Sequence, residues 1–114
     1  MQAVLMKMKE HGCDVDGALN RMLNDEAFLL HCMRAALEQT EYDALGEALG
    51  KKDVKAAFEY AHALKGVTAN VGLTPLYDSV VKIVEPLRAG NGDGLEPEYT
   101  HLIALRDELR EVVA

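Results

Sequence analysis
Between Asp53 and Gly72, the residues Val54, Ala57, Ala61, Leu64, Thr68 and Val71 recur at alternating steps of three and four. Only an α-helix, turning about 100° per residue, gathers that spacing onto one side. The stretch begins at an aspartate, whose carboxylate can accept from the free N–H groups of a first helical turn. It stops at a glycine, the residue best suited to the left-handed backbone that ends many helices. One apolar stripe cannot bury itself, so this helix requires others of the same kind.

The rest of the chain supplies them. Leu29, Met33, Ala36 and Leu37, then Leu45 and Leu49, form a stripe opened by Asp25 and Glu26 and closed by Gly50. That pattern predicts one long helix, loosened but not broken at Gly46. Thr74 as cap and Pro75 at the first helical position predict another, with Leu76, Val80, Ile83 and Val84 turned inward. Pro86 has no N–H and clashes with the carbonyl four residues back, so this helix should kink or end near it. Pro97 starts a last helix with Leu102, Leu105, Leu109 and Val112 facing the core. Ahead of these, a short amphipathic piece with Val4, Leu5 and Met8 ends at Gly12, and Asp16 caps a brief helix carrying Leu19, Met22 and Leu23.

No segment alternates with period two. The expected fold is all-α: an antiparallel four-helix bundle with a short extra N-terminal helix, forming one domain over residues 1–114. Ala89-Gly-Asn-Gly-Asp-Gly94 is the only glycine-rich run. It reads as a flexible connection and not as a phosphate loop, because no strand precedes it and no Lys-Ser/Thr follows. A net charge of −7 disfavours nucleic acid, whose phosphates this surface would repel. No uninterrupted apolar run exceeds four residues, far short of a bilayer span. The start lacks the apolar segment and small-residue cleavage site of a signal peptide, so a cytoplasmic home is expected. Cys13 and Cys32 form no Cys-x-x-Cys pair and read as plain thiols. His31 and Cys32, adjacent on a helix, point about 100° apart, a poor start for tetrahedral metal ligation.

On the helix opened by Asp53, His62 falls roughly 130° from the centre of the apolar stripe and so faces solvent. Lys55, Glu59, Gly66, Ala69 and Asn70 share its face, with Lys65 at the boundary. Gly66 is out of place there, since glycine inside a helix costs about 1 kcal/mol relative to alanine. Its missing side chain must favour something, either close approach of a partner to the imidazole or a tight contact between helices. A neutral imidazole is a competent nucleophile near neutral pH. Phosphoryl transfer needs such a nitrogen presented freely beside positive charge, which Lys65 supplies from three residues on. Taken singly these residues mean little: a surface histidine or lysine is usually only solvated, and a helical glycine often marks packing. His11, His31 and His101 have no such company and read as structural or surface residues. Phe58 and Gly66, one turn either side of His62, cannot ligate a metal with it. The methionines read as core filler, with Met22 and its neighbours as candidates for an apolar docking rim.

The run His62-Ala-Leu-Lys65-Gly66-Val-Thr-Ala-Asn70-Val-Gly72-Leu-Thr-Pro-Leu76 resembles the signature of histidine-containing phosphotransfer (HPt) domains. In that family a His-x-x-Lys-Gly core is followed by small residues, an Asn or similar, Gly and Leu. The resemblance covers roughly Asp16 to Ala89, with the last helix matching in pattern only. Val67-Thr68 is bulkier than the pair common at that point, a departure that bears on partner choice. The resemblance implies a four-helix bundle in which His62 accepts the phosphoryl group, Lys65 steadies its charge, and Gly66 clears space for a partner. Ala69, Asn70 and Glu59 would complete the partner-binding face. It also implies a phosphorelay carrier without ATPase or kinase activity of its own. The partners would be response-regulator receiver domains or a hybrid sensor histidine kinase. This chain would need no cofactor, with Mg²⁺ residing on the receiver, and would act as a monomer away from nucleic acid and membrane. Two other readings fit the same residues: a non-catalytic helical adaptor on this scaffold, and a homodimeric phosphotransferase bundle.

Overall fold
The stripe from Val54 to Val71 becomes the central helix of an all-helical structure. A computed structural model describes residues 1–114 as helices α1 (Ala3–Glu10), α2 (Val15–Arg21), α3 (Glu26–Leu37), α4 (Glu41–Gly50), α5 (Val54–Asn70), α6 (Thr74–Arg88) and α7 (Glu96–Val113), with no strand. The α5 helix lies between α4 and α6; α7 packs on α6 and reaches α1, α3 and α4. One continuous apolar core joins all seven. Within α5 the Asp53 carboxylate accepts from the N–H of Ala56 at 3.1 Å, and Ala57, Ala61, Leu64 and Thr68 are fully buried. Thr68 is tolerated there because its hydroxyl turns back on the carbonyls of Leu64 (2.8 Å) and Lys65 (3.2 Å), so that this buried hydroxyl is itself paired.

The single long helix expected from Asp25 to Gly50 is in fact two, broken over residues 38–40. Helical geometry gives the reason. Continued without a break, the Leu29–Met33–Leu37 stripe would run on to Glu41 and Ala44 at about 100° per residue. The break resets the register so that Tyr42, Leu45 and Leu49 point inward instead, and the first two of these are fully buried. Arg110 of α7 clamps the turn, its Nε and Nη2 donating to the two oxygens of Glu38 at 2.8 and 2.7 Å. That guanidinium holds the Glu38 carboxyl below the usual carboxylate range.

Smaller corrections follow from the same contacts. The cap of α2 is Asp14, which accepts from the N–H of Gly17 at 3.0 Å, while Asp16 lies inside the first turn. The α6 helix starts one residue earlier than expected, so Thr74 is helical and its hydroxyl accepts from the Asp14 N–H at 3.2 Å. Pro86 does sit at the end of α6, which stops two residues later. In α7 the buried positions are Leu102, Leu109 and Val113; Leu105 and Val112 are half-buried. The amphipathic piece that ends at Gly12 and the brief helix after it are α1 and α2. Gly46 neither loosens nor breaks α4: a β-carbon there would collide with the phenol of Tyr99, whose hydroxyl donates to the Tyr42 carbonyl at 2.9 Å. Both cysteines are free thiols, and burial pushes Cys13 up to about 11.

Candidate functional site
The outer face of α5 carries Lys55, Glu59, His62, Gly66, Ala69 and Asn70, all exposed, with Lys65 half-buried at its edge. Exposure does not single out His62. His31 faces solvent from within α3 and His101 from within α7, so placement on a helix and away from the core is shared by three histidines. The surroundings distinguish them. One turn before His62, the Phe58 ring stacks on the imidazole with centroids 5.5 Å apart and planes 16° off parallel. Phe58 is itself packed against the core, so it offers the imidazole a fixed apolar wall. The guanidinium of Arg88, from the last turn of α6, lies 5.2 Å from the centroid of the same phenyl ring.

Positive charge is drawn to this spot from two helices. Lys65 Nζ lies 3.8 Å from Glu85 Oε1, and Arg88 Nε lies 3.6 Å from Glu85 Oε2. Glu85 therefore holds both cations at the α5–α6 seam, one on each oxygen. His11, by contrast, is engaged within the chain: its Nδ1 is 2.8 Å from the Lys7 carbonyl and its Nε2 is 3.6 Å from Glu108. Spacing along α5 could have pointed to Phe58, since residues four apart are neighbours on a helix. Glu85 and Arg88 leave no such trace, because only the packing of α6 on α5 brings them here.

A β-carbon added at Gly66 would meet nothing within 4 Å. The second explanation offered for this glycine, a tight contact between helices, is thereby removed. Alanine at this open position is expected to raise stability by up to about 1 kcal/mol through helix propensity, seen as a higher melting temperature. No gain would mean that the backbone at Gly66 departs from ordinary helix. Ala69 and Asn70 turn out to have a structural duty through their carbonyls. The Arg21 guanidinium of α2 donates to Ala69 O at 3.0 Å and to Asn70 O at 3.1 and 3.2 Å, satisfying the last carbonyls of α5 with a cation. Sequence reading missed Arg21 altogether. Met22 packs against the core; the exposed apolar side chains nearby are Leu23, at 92%, and Phe28, at 51%.

His62 lines none of the larger surface clefts. The imidazole stands on an open helical surface, a geometry suited to another protein's active site and not to enclosure of a small molecule. No group of three or more His, Cys, Asp or Glu residues is placed to hold a metal ion. A family model described as the Hpt domain matches residues 28–114, from the first turn of α3 to the end of the chain. No curated protein and no solved structure gives a match.

Proposed function
Since the chain belongs to the Hpt domain family, whose members mediate histidine phosphotransfer in phosphorelays, we propose that it carries a phosphoryl group on His62 between the aspartates of receiver domains. The observation that most supports this reading is the setting of His62: exposed on α5, stacked on Phe58, with Lys65 and Arg88 at the adjoining seam and open space over Gly66. Hpt domains in general are phosphocarriers without kinase activity, and their usual partners are receiver domains and kinases. No helix of this chain is long and apolar enough to cross a membrane.

The transfer uses few groups of this protein. The lone pair of one imidazole nitrogen attacks the phosphorus of an aspartyl phosphate in line with the bond to be broken. An N–P bond forms, the P–O bond to the aspartate breaks, and the carboxylate leaves as an anion. The imidazole sheds the proton on its other nitrogen. Mg²⁺ and the acceptor carboxylate belong to the partner in this scheme. The α5 helix contributes a rigidly held nucleophile, and Lys65 contributes charge for the incoming dianion.

Mixing the protein with phosphorylated receiver domains tests the reading, with label expected to move to a base-stable, acid-labile bond on this chain. The same assay separates Lys65 from ordinary surface lysines. Lys65→Ala should slow transfer or shorten the life of the phosphohistidine by about three- to tenfold, the range for one partly solvated charged contact. Unchanged values for both would leave Lys65 without a role in the transfer. Gly66→Leu, which places a bulky side chain one turn beyond the imidazole, should impair transfer from receivers and leave the fold intact.

A further inference from the structure
We propose that Glu85 is a resident counter-anion that competes with a phosphoryl group on His62 for Lys65 and Arg88, and so limits how firmly the site holds phosphate. This rests on the phosphocarrier reading of His62 given above. Two cations border the imidazole's surroundings, Lys65 by helical spacing and Arg88 through the shared Phe58 ring, and both end on the same carboxylate. The separations of 3.8 and 3.6 Å exceed those of charge-assisted hydrogen bonds, and the side chains are part-solvated: 29% exposed for Lys65, 54% for Glu85 and 49% for Arg88. Pairs this long and wet are weak and exchange readily.

A phosphoryl group on His62 would bring about two negative charges and three acceptor oxygens to the same place. It outbids a single carboxylate for Lys65 and leaves Glu85 as a like charge beside it. The carboxylate thus lowers the stability of the phosphorylated form relative to a site without it, which favours passing the group on. Without phosphate, the same carboxylate keeps Lys65 and Arg88 neutralised and placed at the α5–α6 seam. If Glu85 served only to tie the two helices together, its loss would alter stability but not the ionisation of a phosphoryl on the neighbouring histidine.

Phosphoramidate provides a probe that needs no partner protein. The imidazole lone pair forms the new N–P bond as the P–N bond of phosphoramidate breaks. Ammonia leaves and takes up the imidazole's surplus proton as ammonium. The ³¹P resonance present in the wild type and missing in His62→Gln identifies phospho-His62, and its shift is followed against pH. In Glu85→Gln the final ionisation of that phosphoryl should move down by about half a pH unit, the scale of a half-exposed ion pair. Asp78→Asn removes the same charge from an exposed site two turns earlier on α6 and should give no such movement. The drop should shrink in the Lys65→Ala background, where the freed cation is missing. An unchanged titration in Glu85→Gln, a drop equal to that of Asp78→Asn, or a drop of full size without Lys65 would each overturn the role of Glu85. A wild type that yields no His62-dependent resonance would instead overturn the phosphocarrier reading, and this proposal with it.

Discussion

Phosphate labelling is expected to disappear in His62→Gln while helical content and melting temperature stay close to those of the wild type. Glutamine keeps a polar side chain of similar reach and has a better helix propensity than histidine. The site is exposed, so the change should cost within about 0.5 kcal/mol either way, including loss of the half-solvated stack on Phe58. Chemistry, in contrast, should fall to background, because the amide nitrogen has no lone pair free to attack phosphorus. The other histidines serve as internal controls, and the structure ranks them. His11 is tied to its own helix through Nδ1, 2.8 Å from the Lys7 carbonyl, and its Nε2 faces the Glu108 carboxylate at 3.6 Å. His31 and His101 are exposed but have no neighbouring glycine and no aromatic ring stacked against them. Label that persists in His62→Gln, or that maps to His31 or His101, would falsify the assignment. A helical adaptor that never carries phosphate would show no labelling in either protein, so the wild type decides between those readings before the variant is made.

Sequence patterns revealed most about this chain where an element's boundaries and its buried face are set locally. The α5 helix is the clearest case. Its cap, stripe and terminal glycine lie within twenty or so consecutive positions, and each acts through contacts no more than a turn or two away. The exposed face carrying His62, Gly66, Ala69 and Asn70 follows from the same periodicity, and the structure places those residues together on it. The break between α3 and α4 was not legible, because nothing at residues 38–40 is a strong helix breaker. Its cause is the gain from turning Tyr42 and Leu45 inward and from seating Glu38 on Arg110, 72 positions away. Gly46 was misread for a similar reason, as its role depends on Tyr99 of α7. At the site, the cations and anion that α6 brings to α5 were invisible for want of any local spacing that links Lys65 to Glu85 or Phe58 to Arg88. Arg21 escaped notice likewise, since its partners are backbone carbonyls, which every residue possesses.

Gly72→Ala should lower stability by about 3 kcal/mol or more, a large part of what a domain of this size possesses. Two independent costs meet at that position. Gly72 has φ +73, in the left-handed region, where a residue with a β-carbon costs about 1–2 kcal/mol. The added carbon would also collide with the backbone oxygen of Asp14 and stand 3.1 Å from the β-carbon of Ala18. A backbone atom cannot rotate aside as a side chain can, so α2 itself would have to move. That movement strains the Asp14 N–H bond to the Gly72 carbonyl, 2.9 Å long, and the cap that Asp14 provides to α2. Overpacking of this kind typically costs about 1–3 kcal/mol. The melting temperature is therefore expected to fall by about 10 °C or more, opposite in sign to the effect of alanine at Gly66. Gly72→Asn separates the two costs, because asparagine accepts left-handed backbone but still carries the β-carbon. It should recover only the smaller share of the loss. Full recovery with asparagine would mean that backbone conformation alone, and not the crossing of α2 over the end of α5, makes glycine necessary there.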